Sequence, residues 1–496
     1  MINIAELITF VVYFIALMGV GWYFYKRTIH IEDYLLGGRR MGRWVTALSA
    51  QASDMSGWLL MGLPGAVFLM GVNQSWIAIG LFLGTVVNWL MVAPRLRVFT
   101  GHTESLTISS FLEERFQDPT GLLRIVSAII ILLFFTIYAS SGLVGAGKLF
   151  ESMFSIDYKL AVFLGGLVII LYTFLGGFLA VCWTDLFQGS LMFIAIIIVP
   201  TIAFFSSGGA AGIAEAMAAK EISASIIPSG PVPFLMIVST AAWGLGYFGQ
   251  PHILSRFMSI KSVREIPKAA TIAIIWVLFS LGFAVVVGLV AIPMFPEVTG
   301  GDSEKVFIYL VRALFNPWVG GILLAAILSA IMSTIDSQLL VSSSALTEDF
   351  YKKVIKKDAG EKELILIGRI SVLIISLIAM LLALNPNNSI LGLVSYAWGG
   401  FGAAFGPVII AALFSEKTNW KSALAGMVTG TLVLIIWERL GYGAVMYEIV
   451  PGFIANSLTI WLVNRFTEPE DKNYFGTLVD AYHRESGDVE TVDSKA

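Results

Sequence analysis

The stretch Ala47-Leu48-Ser49-Ala50-Gln51-Ala52-Ser53-Asp54-Met55-Ser56-Gly57-Trp58, continuing through Leu59-Leu60-Met61-Gly62-Leu63-Pro64-Gly65, decides the fold. It lies in an apolar run, 44–71, and a helix needs about 20 such residues to cross a hydrocarbon layer of ~30 Å. Two features interrupt it. Met55-Ser56-Gly57 and Gly62-Leu63-Pro64-Gly65 introduce glycine, which costs backbone entropy in a helix, and proline, which lacks the N–H a helix needs. Inside a membrane, backbone groups freed by such a break survive only where protein or a cavity satisfies them. Between Arg43 and Arg95 the only charged residue is Asp54, near the middle of the run. A carboxylate there costs a few kcal/mol even on insertion scales. It is expected to face a cavity, an ion or a partner; the alternative is a structural aspartate held by a polar neighbour on another helix.

The rest of the chain carries the same signal. Of 496 residues, 57% are hydrophobic and 13% charged, about half the charge of a soluble domain. Thirteen apolar runs fit membrane spans, near 4–25, 44–71, 74–93, 125–148, 159–178, 182–206, 232–255, 269–293, 319–344, 366–384, 390–414, 421–441 and 446–464. The class is an all-α polytopic membrane protein, with the lipid bilayer as its solvent. The first run has no basic region before it and no small-residue cleavage site, so it reads as a retained helix. The tail after Arg465 is acidic and polar and is expected to be flexible.

If the N-terminus lies outside, 25 of the 31 lysines and arginines fall on the cytoplasmic side and six on the other. The positive-inside rule then sets the N-terminus out and the C-terminus in, in a cell (inner) membrane. Several function classes are excluded. A net charge of −3 with no basic cluster offers nothing to nucleic acid. The single cysteine, Cys182, rules out an intrachain disulfide, a CxxC pair and a thiolate-rich metal site; beside Trp183 it reads as a packed small residue. The four histidines do not cluster and no phosphate-cradling loop is present. The chain is not expected to be an enzyme, and uphill transport would draw on an ion gradient.

The seventh run is also interrupted, by Gly244, Gly246, Gly249 and Pro251. Runs two and seven are five apart, and a repeat with an odd number of spans inserts in opposite orientations. Spans 2–6 (44–231) and 7–11 (232–414) therefore form a plausible inverted pair, preceded by 1–43 and followed by spans 12–13 (415–465) and the tail 466–496. Interrupted segments at matching positions of two halves point to a transporter's binding site; the alternative is that the glycines permit close packing. Residues 319–347 contain one charge, Asp336, one turn from Ser333 on the same face and beside Thr334. A hard cation prefers oxygen ligands, although such hydroxyls often bond back to the preceding turn. Asp336 reads either as a waypoint for a released cation or as an acid paired with an arginine such as Arg256. Asp185, near the start of span 6, could sit at the interface. Trp243 and Tyr247, four apart, share a face that could hold an ammonium group or an apolar ring, or could simply pack.

Two further motifs belong with the opening stretch: Gly37-Gly38-Arg39, and Gly176-Gly177-Phe178-Leu179-Ala180-Val181-Cys182-Trp183-Thr184-Asp185. Together they closely resemble the sodium/solute symporter family, and Trp243 to Met258 and Ser395 to Pro407 look like its proline-carrying branch. The similarity runs from about residue 5 to 465. The resemblance implies a fold of five-plus-five inverted repeats with flanking helices, and sodium-coupled uptake of L-proline by alternating access. It implies a sodium site built from the backbone oxygens of Ala52, Met55 and Ala330 and the hydroxyls of Ser333 and Thr334. Asp54 matches the acid required for sodium-dependent transport, and Arg39 an arginine linked to ion coupling. Ser56, Gly57, Trp58, Tyr138, Trp243, Tyr247 and Pro251 match positions of the proline pocket. Asp336 departs from relatives that carry serine there, which puts the ion number or pathway in question. The implied partners are Na+ and L-proline, and no oligomer is required. Rival readings are a symporter of pantothenate or a compatible solute, a membrane sensor that kept the fold, and a channel. Against the sensor, only some thirty residues follow span 13.

Overall fold

The computed structural model of the chain describes residues 3–25, 30–175, 177–230, 232–471 and 473–487. Lys26, Arg27, Gly176, Lys472 and Lys495, used above for orientation and for the motif, lie outside them. Among the described residues the structure is helical, without a strand; one isolated bridge joins Met41 to Ile260. Among the described residues, nine helices are long and apolar enough to cross a membrane, and four shorter apolar helices are Trp58–Met70, Tyr158–Phe174, Pro233–Gly249 and Ile449–Val463. Each falls on one of the thirteen apolar runs. The chain is a multi-pass membrane protein.

The ninth span, Pro317–Ser344, is the central post: every residue from Leu323 to Leu340 is buried. An apolar helix buried on all sides is expected at the middle of a bundle. The first and tenth spans sit at the rim, with Ile8, Ile15, Leu366, Leu377 and Leu381 exposed. Most span edges lie beyond the sequence reading, although the last span, Ile449–Val463, is shorter than its run 446–464. The third span continues through Ala93–His102, past Arg95 and Arg97, and the ninth continues through Ala345–Ile355. Hydropathy marks where lipid ends; a helix ends only where its backbone bonds are broken or capped, so these run on into water.

Both interruptions are real. The second span is split into Arg43–Asp54 and a continuation beginning at Trp58. The seventh is Pro233–Ala241, a tightened turn Ala242–Gly249, extended Gln250 and a second half, Pro251–Ser259. Proline at the first helical position suits a helix start, where its missing N–H has no partner to lose.

The tail departs from expectation. Tyr474–Ser486 is a helix with Leu478 and Ala481 buried. Phe475 meets Phe99 edge-on at 6.2 Å and lies 4.6 Å under the Arg115 guanidinium, while Arg95 stands 5.4 Å over Tyr482. Phe475, Leu478 and Tyr482 recur at helical spacing and form an apolar face. Net acidity hid that periodicity.

Candidate functional site

The break in the second span frees a carbonyl. In an unbroken helix the Ser56 N–H would donate to Ala52 O; here Met55 leaves the helical region at φ −82°, ψ 73°, and Ser56 N donates to Asp54 O at 3.0 Å instead. Ala52 O takes two hydroxyls from the ninth span: Ser333 Oγ donates to it at 2.7 Å and Thr334 Oγ1 at 3.3 Å. Ser333 Oγ also lies 3.2 Å from Ala330 O. Four oxygens of two helices thus converge in a fully buried place. Met55 is buried at the break itself, and a side chain on Gly57 would press on Ile331 of the ninth span, with its Cβ 3.2 Å from Ile331 Cγ1.

Asp54 sits at the end of the first half-helix, completely buried. Its Oδ2 accepts the Tyr247 hydroxyl at 2.5 Å, and Oδ1 has no partner among the described residues. Its carbonyl accepts Trp58 Nε1 at 3.1 Å and the Tyr138 hydroxyl at 3.3 Å. One oxygen of the carboxylate is thus held by another helix, and the other has no partner among the described residues. A buried acceptor left unpaired is unfavourable by about 1–3 kcal/mol, more when charged. Ser56 is buried beside it, with Oγ 3.4 Å from Trp58 N.

The seventh span brings aromatic rings to the same place. Trp243 lies 6.3 Å from Trp58, 6.5 Å from Trp398 with the rings nearly parallel, and 5.5 Å from Tyr447, centroid to centroid. Tyr247 meets Trp398 edge-on at 5.1 Å. Carbonyls of the tightened turn are satisfied by side chains: Trp398 Nε1 donates to Trp243 O at 2.7 Å, Gln250 Nε2 to Gly246 O at 3.2 Å and Asn88 Nδ2 to Tyr247 O at 3.2 Å. The glycines serve close packing. A Cβ on Gly244 would stand 2.2 Å from Gly80 O, and one on Gly246 1.9 Å from Trp398 Nε1. Pro251 starts the second half-helix and lines a small cavity below the site with Ile131, Ser255 and Val341.

Trp398, Tyr447, Gln250 and Asn88 were missed as site residues. Trp398 lies within the recognised Ser395–Pro407 stretch and Gln250 stands beside Pro251, so both had a signal. Tyr447 and Asn88 come from distant runs and had none.

The remaining candidates lie elsewhere. Asp185 is fully buried, accepts Ser49 Oγ at 2.6 Å and pairs with Arg256 Nη2 at 3.4 Å. Arg256 also donates to Ser337 Oγ and to His252 O. Asp336 accepts Thr173 Oγ1 from the fifth span, and its Oδ2 has no partner among the described residues. The arginine proposed for Asp336 is thus bound to Asp185. Arg39 follows Gly37 and Gly38, and all three have positive φ (61°, 63° and 51°). That turn aims its guanidinium at Ser105 O (2.6 Å), Thr100 O (3.0 Å) and Met258 O (3.1 Å), tying together the ends of spans three and seven. Burial, and next the nearby Arg97, bring its pKa down to about 10; it stays charged at neutral pH.

The sequence matches the sodium:solute symporter family over residues 34–430. The chain belongs to that family. Among curated symporters it is 50% identical to the sodium/proline symporter of Escherichia coli K12 over 466 residues, 92% of each chain. It is 50% identical to the high-affinity proline transporter PutP of Bacillus subtilis 168, covering 90% of this chain and 95% of that one. To the osmoregulated proline transporter OpuE of the same organism it is 46% identical, covering 96% and 98%. Among solved structures, a Na+-coupled sialic acid symporter superposes with a TM-score of 0.81 at 18% identity, over 95% of this chain and 99% of that one. Mhp1, a nucleobase-cation-symport-1 family transporter, gives 0.57 at 12% identity, over 91% and 99%. These two share the fold with this symporter.

Proposed function

We propose that this symporter couples sodium entry to the uptake of L-proline by alternating access. The observation that carries the coupling is the convergence of Ala52 O, Ala330 O, Ser333 Oγ and Thr334 Oγ1 across the broken second span and the ninth. A sodium ion there would replace the hydroxyl-to-carbonyl hydrogen bonds, with Met55 O as a further ligand, and would pin the two helices together. Neutral oxygens suit a monovalent cation that must also leave. The choice of proline rests on relatives named for it, at about half identity over nearly the whole chain.

The unwound Ser56-Gly57 segment would present backbone N–H groups to the carboxylate. Trp58, Tyr138 and Trp243 would enclose the pyrrolidine ring, and Pro251 would close the pocket from the small cavity below it. Tyr247 joins this pocket through Asp54, so Asp54 would link sodium to proline without being a ligand of either. Residues 44–231 and 232–414 would be the two inverted repeats, with the N-terminus outside and the C-terminus cytoplasmic. One sodium moving with a zwitterion carries one net charge, about 2.3 kcal/mol per 100 mV, which supports roughly 50-fold accumulation.

The test is uptake of radiolabelled L-proline into proteoliposomes with an inward sodium gradient, challenged by unlabelled pantothenate and a betaine. Sodium-dependent proline uptake blocked by excess proline alone is expected. Uptake blocked equally by pantothenate would reassign the solute, and uptake indifferent to sodium would remove the coupling.

A further inference from the structure

A groove of about 400 Å³ opens sideways between the second, sixth and eighth spans. Its floor is Phe193 stacked on Trp276 at 6.0 Å, and Trp276 Nε1 is anchored to Gly189 O at 3.2 Å. Ile275 and Leu48 line its sides. At its mouth stands Trp44, 57% exposed, with no hydrogen bond for its indole N–H among the described residues.

The charge at that mouth is one-sided. Arg43 precedes Trp44 and lies 3.8 Å from Glu265, which Lys261 also approaches at 4.0 Å. Lys268 is exposed and has no ion pair among the described residues. It sits one and two turns before Thr271 and Ile275, both of which line the groove, so it shares their face. Arg43 and Lys261 thus share one carboxylate, and Lys268 stands uncompensated on the groove's own helix face, near an indole N–H without a partner among the described residues and an apolar slot.

We infer that this groove binds an anionic glycerophospholipid of the adjoining leaflet, one acyl chain in the slot and the phosphate at Lys268, Arg43 and Trp44. Lys268 reaches the headgroup level by extending its stem along the helix, and tryptophan is favoured at that depth. The charge complementarity selects an anionic lipid over a zwitterionic one, because each basic side chain near a membrane surface adds about fivefold in affinity for anionic lipid. The location gives the lipid a consequence. Gly189, whose carbonyl anchors Trp276 of the groove, lets the sixth span approach the second so closely that an added Cβ would lie 3.3 Å from Ala52 Cβ. The occupied groove therefore supports, from the lipid side, the half-helix whose Ala52 carbonyl faces Ser333.

The test does not depend on the transported solute. The full chain is reconstituted in phosphatidylethanolamine nanodiscs with phosphatidylglycerol as the minor lipid, released into mild detergent, and its retained lipid counted by native mass spectrometry. Phosphatidylglycerol is expected to be retained over phosphatidylethanolamine. Lys268→Gln, an exposed change that leaves packing intact, is expected to lower that retention about fivefold. Ile275→Trp fills the slot and should abolish it, while Ile374→Trp on the exposed face of the tenth span should not. Equal retention of both lipids, or unchanged phosphatidylglycerol in Lys268→Gln and Ile275→Trp, marks an ordinary lipid annulus and overturns the proposal. So does a lipid-free dimer that Ile275→Trp converts to monomer, since a second copy would then occupy the groove.

Discussion

Ser333 and Thr334 offer the most direct test of the sodium site, because the structure ranks them. Ser333 Oγ lies 2.7 Å from Ala52 O and also reaches Ala330 O, whereas Thr334 Oγ1 is 3.3 Å from Ala52 O. Removing the Ser333 hydroxyl deletes one of about five oxygens and leaves the freed Ala52 carbonyl with the longer contact alone. An interaction between a polar group and a charge contributes about 1.5–3 kcal/mol, which corresponds to a roughly ten- to hundredfold rise in the sodium concentration for half-maximal uptake. Thr334→Ala should fall at or below the low end of that range, and Thr334→Ser, which keeps the hydroxyl, within about threefold of the parent. The assay is proline uptake at saturating proline across a sodium titration, repeated as sodium binding without proline. The ordering Ser333→Ala above Thr334→Ala above Thr334→Ser is the expected result. An unchanged sodium midpoint with a lower maximal rate in both alanine variants would refute the reasoning, because it would make the hydroxyls elements of helix packing.

Asp54→Ala is expected to leave the protein in the membrane and nearly abolish sodium-driven uptake, since that carboxylate holds Tyr247 of the seventh span beside the break in the second; normal transport at low sodium would make Asp54 purely structural. Trp243→Ala should weaken proline binding about tenfold at saturating sodium while moving the sodium midpoint little, by loss of ring contact; equal shifts in both would place the ring at the ion site instead. Gly246→Ala should lower thermal stability by about 1–3 kcal/mol through overpacking against Trp398, read as an earlier unfolding midpoint, and an unaltered midpoint would show that the two helices separate freely. Asp336→Asn should slow sodium release to the inside and leave sodium binding from outside unchanged, because Arg256 is held by Asp185 and not by Asp336; wild-type release kinetics would remove Asp336 from the ion path.

The sequence by itself determined the membrane class, the number and order of the apolar runs, and the two places where a span is broken. Those features are local: hydrocarbon thickness fixes run length, and glycine and proline act on their own stretch of backbone. Asp54 also announced itself, since a lone charge in a spanning run is costly wherever the helix packs. Only the tertiary structure decided which residues meet. That Ala52 O faces Ser333, some 280 positions away, or that Trp398 and Tyr447 close on Trp243, depends on how separate helices cross, and hydropathy is blind to crossing. The same holds for the charges. Arg256 could have served Asp336 or Asp185, both apolar-run acids, and only the crossing of the second, sixth, seventh and ninth spans gives it to Asp185. The tail helix was concealed for another reason: its apolar face is narrow, and the face becomes legible only against the Phe99, Arg95 and Arg115 surface that covers it.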